Sequence, residues 1–294
     1  MWFAFSILTI IAWGGSDLFS KMGTRSDDRY SHLRLVITVG TVMGLHALIY
    51  MLINSVEFSP MSIIKYLPVS AMYILSMTLG YAGLRYIELS VSSPICNSAG
   101  AVTAILCYFI LGQSMEGLQF VGVVLICAGI FLLSLLEKRG RDRISDGEKK
   151  YSVGFIAILF PLLYCIIDGC GSFLDAWYLE NLMSEVEANL SYEFTFAICA
   201  LLAFLYLRFI KREKFSFVRE KIFGVAALCE TAGQFTYVYA MAENAIVAAP
   251  LIASYSIFSV LLSRIFLKEK LKPSQYAVIA MVMLGIAILG IFDA

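Results

Sequence analysis

Charge is scarce in this sequence, and what there is cancels. Lys and Arg together number 22 and Asp and Glu together 22, so only 15% of the 294 residues are charged and the net charge is zero. That balance offers no basic surface for nucleic acid. The seven cysteines (Cys96, Cys107, Cys127, Cys165, Cys170, Cys199, Cys229) form no CxxC pair and no Cys/His cluster. They read as small packing side chains, so neither a disulfide framework nor a metal site is expected. No GxxxxGK[ST] loop is present, which leaves gradients or the solute itself as the energy source, and no cofactor is expected. The first apolar run has no basic n-region and no small-residue cleavage site, which predicts a retained helix rather than a signal peptide. Polar surface is the largest shortage. Hydrophobic residues make up 60% of the chain and the mean hydropathy is +0.82, a composition that predicts an integral membrane protein of the all-α class.

A helix crossing ~30 Å of hydrocarbon needs about 20 apolar residues. Spans of that kind fall near 2–22, 32–54, 63–86, 89–112, 117–137, 152–177, 190–210, 220–241, 245–267 and 273–292. The one clear linker is EKRGRDRISDGEKK, near the middle of the chain. A duplication explains its position. Gly15-Ser16 matches Gly171-Ser172 at a shift of 156 residues, and the same shift aligns Lys65 with Lys221, Tyr81 with Tyr237, Pro94 with Pro250, Ser98 with Ser254, Gln119 with Gln275 and Gly129 with Gly285. The expected organisation is a first repeat over 1–137, a basic linker over 138–150 and a second repeat over 151–294. Five helices per repeat is an odd number, so the second half must enter the bilayer from the opposite side. Ten transmembrane helices in two inverted five-helix repeats, around a central cavity, are the predicted fold.

Basic residues mark the cytoplasmic side when they lie in short loops. In the ten-helix reading every Lys and Arg except Lys65 falls on one face, whereas the acidic NLMSEVEAN loop (181–189) falls on the other. Both termini are therefore expected outside, with the odd-numbered loops in the cytoplasm and the plasma membrane as the location.

Two stretches carry a family likeness. YAGLRYIELSVSSPICNSAGAVTAILCYFILGQSMEGLQFVGVVLICAGIFLL (81–133) resembles the end of an EamA domain, and YVYAMAENAIVAAPLIASYSIFSVLLSRIFLKEKLKPSQYAVIAMVMLGIAIL (237–289) resembles a second copy. Gln113 stands where the family usually has an acid, and Glu269 occupies the matching place in the second copy. The resemblance is to the ten-helix branch of the drug/metabolite transporter superfamily. It implies an inverted-repeat transporter with a central cavity, and leaves the solute open.

Acids at membrane depth are costly, about 2.5–3.5 kcal/mol each on insertion scales, and usually face a cavity, pair or titrate. Asp17, Asp168 and Glu230 qualify by position. Glu230 follows Glu220 by ten residues, roughly 15 Å into its helix and close to the midplane. Asp168 is deeper along its helix, roughly 25 Å past Tyr151, towards the outer side. Asp175 is expected as a solvated helix end. Asp168, Ser172 and Asp175 share one helix face, and Glu230, Gln234 and Tyr237 share another. Under the repeat shift Asp168 meets Ala12, Asp17 meets Phe173 and Glu230 meets Ile74, so none of the three acids belongs to the duplicated scaffold. A structural pairing of Asp17 with Lys21 is the alternative for that residue. Trp13, Tyr81, Tyr237 and Tyr255 fall on helices that the resemblance places around the cavity and could form an aromatic cage for an organic cation. Asn97, with Ser98 and Thr103, and Ser254, Ser256 and Ser259 are either cavity lining or interhelical hydrogen bonds. His46 is either a proton relay or a satisfied interhelical histidine.

The function expected is secondary active transport of a small organic solute by alternating access, coupled to a proton or cation, with an amine or organic cation as the first choice. Export of a neutral or zwitterionic metabolite such as an amino acid is the alternative, and a non-transporting scaffold the remote one. An enzyme is not expected, since an aspartate dyad would want a GxGD motif and only Asp168-Gly-Cys-Gly occurs. The partners expected are the solute, the lipid bilayer and protons. Monomer or homodimer is left open.

Overall fold

The structure is a computed structural model that describes residues 1–25, 28–84, 89–142, 155–268 and 272–290. Among these residues all regular structure is helical: α1 (Trp2–Gly23), α2 (Ser31–Asn54), α3 (Pro60–Gly83), α4 (Leu89–Asn97), α5 (Ala99–Leu106), α6 (Gly117–Asp142), α7 (Phe155–Asn181), α8 (Glu185–Leu205), α9 (Lys221–Ala253), α10 (Tyr255–Leu262) and α11 (Pro273–Gly290). Six stretches are long and apolar enough to cross a membrane, and three shorter apolar helices accompany them. Leu52, Phe109 and Phe209 stand on the outside, each at least 70% exposed, a surface suited to lipid.

Helix starts follow the local chemistry. Pro60 opens α3 behind Ser59, whose hydroxyl accepts from Met61 N at 3.3 Å, and Ser184 caps α8 by accepting from Glu187 N at 3.3 Å. Glu185 and Glu187 fall in that first turn, where the helix dipole favours anions. The acidic 181–189 stretch is therefore largely helix. α7 ends at Asn181 and α8 begins at Glu185, five residues before the span expected from hydropathy. The linker also starts late, because α6 continues to Asp142. Residues 143–154, like Arg85 and Glu269, lie outside the described residues.

The duplication reappears as backbone detail. Gln119 Oε1 accepts from Glu116 N at 3.0 Å, and Gln275 Oε1 accepts from Lys272 N in the matching place; each glutamine reaches back to close the start of its helix. The 89–112 span is interrupted between α4 and α5 by one tightened turn at Ser98, which keeps helical φ −62° and ψ −9° while Ser98 N bonds Ile95 O at 3.3 Å and Ala101 N bonds Ser98 O at 3.2 Å. α9 and α10 meet at Ser254 in the same way, with Ser254 N on Leu251 O at 3.0 Å and Ile257 N on Ser254 O at 2.9 Å. Pro94 and Pro250 sit four residues before each break and lack the N–H that a regular helix would use. Both spans then loosen into π-helical turns over Cys107–Leu111 and Ser263–Leu267. These turns end on left-handed residues, Gly112 at φ 65° and Lys268 at φ 57°. The expected boundary between spans at 241–245 is present as a kink inside α9, where Asn244, at φ −161° and ψ 75°, leaves helical geometry and separates two helical stretches.

Packing crosses between the halves. α1 packs on α9, α3 on α7, α2 on α8 and α6 on α11. At the α2–α8 seam a Cβ on Gly40 would lie 2.4 Å from Phe196 O, and one on Gly44 would lie 2.7 Å from Ala197 Cβ. Phe196 is the residue that the repeat shift assigns to Gly40. A position that packs against its own counterpart marks the axis relating the halves.

Candidate functional site

One cavity, an envelope of about 960 Å³ with its mouth included, lies between α1, α3, α4, α5, α7, α8, α9 and α10. All ten residues singled out from the sequence line it: Trp13, Asp17, Tyr81, Asn97, Asp168, Ser172, Glu230, Gln234, Tyr237 and Tyr255. Thr103 joins them, whereas Ser254, Ser256 and Ser259 do not. Ser256 back-bonds to Ala253 O at 3.1 Å. Ser259 holds Asp17, donating to its Oδ2 at 2.7 Å. Lys21 donates to Leu84 O at 2.7 Å.

The two helix stripes supply most of the polar wall. On α9, Glu230, Gln234 and Tyr237 are buried and follow one another at helical spacing. Glu230 is bonded by Ser16 and lies within electrostatic reach of Asp17 and Asp168. On α7, Asp168 accepts from Ser76 at 2.9 Å and from Tyr164. Gly169 makes room for this wall, because a Cβ there would lie 2.7 Å from Val102 Cβ and 3.0 Å from Ala99 O. The aromatics gather around Trp13, whose ring centroid is 5.0 Å from that of Tyr237 and 5.6 Å from that of Tyr255. Gly233 admits the indole, since a Cβ there would meet Trp13 Cδ1 at 2.3 Å. Among the described residues the lining contains three carboxylates and no Lys, Arg or His. Among the described residues three buried polar atoms of the lining have no hydrogen-bond partner: Trp13 Nε1, Tyr81 OH and Gln234 Nε2.

Asp175 corrects an expectation. It is not a solvated helix end but 0% exposed, because α3 lies over it. Tyr66 donates to its Oδ1 and Tyr73 to its Oδ2 at 3.3 Å. Tyr73 also bonds Ser172 at 3.2 Å and Tyr237 OH at 2.6 Å. Asp175 thus stands one hydroxyl behind the cavity wall and holds the tyrosines that form it. Three lining tyrosines went unread in the sequence: Tyr73, Tyr164 and Tyr192. Tyr164 had a signal, since it precedes Asp168 by four residues on the same face. Glu193 is a further buried acid that the expected helix start at 190 placed too near the surface to count; it is 0% exposed and outside the cavity. Among the described residues no group of Cys, His, Asp and Glu is arranged to hold a metal.

No curated protein matches this chain. Among solved structures 28 chains are similar. One of them, described only as a crystal structure of a protein, covers 96% of this chain and 97% of its own length at 13% identity and a TM-score of 0.66, a likeness of fold alone. The EamA-like transporter family matches residues 1–135 and again 155–291. With both halves matched, the chain belongs to the EamA-like transporter family and is a multi-pass protein of the membrane-transporter class.

Proposed function

We propose that the protein moves a small organic cation, an amine or quaternary ammonium, across the plasma membrane by alternating access. Ten crossings in two inverted repeats would carry the solute past the cavity between them, with both termini outside. The observation that supports the cation is the lining itself. Glu230 and Asp168 face a cavity whose described walls hold no Lys, Arg or His, and a carboxylate removed from water needs a positive partner or a proton. The Trp13, Tyr237 and Tyr255 rings add a surface on which a cation gains about 0.5–2 kcal/mol per ring. In this reading Glu230 is the coupling residue and exchanges a proton for the solute, as an antiporter does. Asp168 and the aromatics bind the solute.

A zwitterion is the second reading, and one feature favours it. Trp13 Nε1 and Gln234 Nε2 are donors without partners, and two such donors suit the carboxylate of an amino acid while the acids take its amine. Thermal unfolding of purified protein against simple amines, matched amino acids, nucleosides and organic anions separates the two, because a ligand that binds only the folded state raises the melting temperature. Amines alone stabilising the protein supports the first reading, and stabilisation only when both groups are present supports the second. An anion as the tightest ligand removes both.

A further inference from the structure

Away from the cavity, α2 and α8 enclose another acid. Glu193 is 0% exposed, and both of its oxygens lie near His46 Nδ1, at 2.8 and 2.9 Å. Asn189, one turn earlier on α8, donates to Glu193 Oε1 at 3.1 Å, and its own Oδ1 has no partner. Neither member is duplicated: the repeat shift places Ile37 opposite Glu193 and Leu202 opposite His46. Glu193 is eight residues from the start of α8 and His46 eight from the end of α2, so each sits about 12 Å from a helix end, N-terminal for Glu193 and C-terminal for His46.

Charge counting decides what this arrangement holds. Glu193 ionised beside neutral His46 leaves one net negative charge at membrane depth, with only uncharged donors around it. One added proton, shared between the carboxylate and the imidazole, makes the pair neutral overall. The groups acting on Glu193 are His46 and Asn189. The titratable side chains around the pair are tyrosines, Tyr50 on α2 with ring centroid 6.0 Å from His46, Tyr239 on α9, 5.2 Å from the Phe235 ring that abuts His46, and, through Tyr192 beside Glu193, Tyr73 on α3 at 5.9 Å, together with the acid Glu185, two turns before Glu193 on α8 and within electrostatic reach of Tyr239. Glu187, further up α8, is bonded by Ser62 of α3. Among the described residues no lysine or arginine bonds either member of the pair. His46 is the more open of the two, 33% exposed on its side chain against 0% for Glu193.

We propose that His46 and Glu193 form a proton-binding site at the α2–α8 seam, separate from the cavity, whose single proton neutralises the seam. The backs of the cavity helices meet this site. Tyr192 lines the cavity while its neighbour Glu193 faces away, and on α9 Glu230 and Gln234 line the cavity while Phe235 packs on His46. Proton occupancy and cavity shape therefore share α8 and α9.

The chain has only two histidines, so histidine-labelled protein in nanodiscs gives two imidazole signals by NMR, and His32→Asn assigns them. With no substrate present, the His46 signal is expected to titrate, and Glu193→Gln is expected to change its proton affinity about tenfold or more. Should Glu193→Gln not fold, Asn189→Ala keeps the acid, strips its other donor and must also change that affinity. A His46 signal that does not respond to pH in folded protein, or that titrates identically in the variant, overturns the site. Neither result bears on solute transport, which is measured separately.

Discussion

The two halves share their backbone and differ in their acids. Each half breaks a helix at the same serine, follows it with the same π-helical turn and closes the next helix start with the same glutamine. At membrane depth, however, the first half supplies Asp17, whereas the second supplies Asp168, Asp175, Glu193 and Glu230. The first-half counterparts of those four are Ala12, Phe19, Ile37 and Ile74. At membrane depth the duplicated features are those that shape helices, and the acids are not duplicated. A scaffold can move symmetrically about its axis while its chemistry stays on one side, which is what a transporter needs if binding and release are to differ.

Breaking that asymmetry at Glu230 should have the largest effect. Glu230→Gln keeps the shape and hydrogen-bonding capacity of the side chain and removes its titration. Accumulation of the solute in proteoliposomes under an imposed pH gradient is expected to fall to the level of empty liposomes, with the protein still folded. Transport like the wild type under the same gradient would show that coupling lies elsewhere. Asp168→Asn is expected to act on binding, weakening a cationic ligand by roughly tenfold to a hundredfold, the value of a charged hydrogen bond of about 1.5–3 kcal/mol. Titration calorimetry checks it, and an unchanged Kd places the solute away from α7.

Replacements at the axis sharpen the comparison on the side of stability. Phe196→Ala empties a fully buried site and should cost about 3–5 kcal/mol. Its counterpart Gly40→Ala overfills the same seam and should cost about 1–3 kcal/mol. Unfolding of both variants in one detergent measures the difference, and equal small losses would mean that the seam is loosely packed. The smallest effect is expected from cysteine at Leu182 or Ser216, both exposed in loops. Neither should alter activity in a background without other reactive thiols. An impermeant maleimide on intact cells should label the first and not the second, and the reverse pattern would invert the orientation.

The repeat made much of this fold legible. A single shift paired the prolines, serines and glutamines, because identical backbone tasks select identical residues, but the interruptions at Ser98 and Ser254 were not expected inside the 89–112 and 245–267 spans. The candidate site residues were legible for a different reason: Asp17, Asp168 and Glu230 interrupt apolar spans, and an acid there has few places to face. Asp175 and Glu193 escaped by the same logic, since each lies near a span's end as hydropathy draws it. What buries them comes from other helices, Tyr66 and Tyr73 over Asp175 and His46 over Glu193, and no local pattern announces such neighbours. Tyr73 and Tyr192 were lost among sixteen tyrosines, where composition alone gives none of them distinction.

The pairing of α1 with α9 and of α3 with α7 has a consequence for how the protein is made. Synthesis delivers the first half to the bilayer while its principal partners are still unmade. Until α7 and α9 arrive, α1 and α3 must wait with their packing faces turned to lipid or to insertion chaperones, and Asp17 waits with them. Assembly is therefore a late event that joins two inserted halves, and a chain cut within 143–150 and expressed as two pieces should still bring them together.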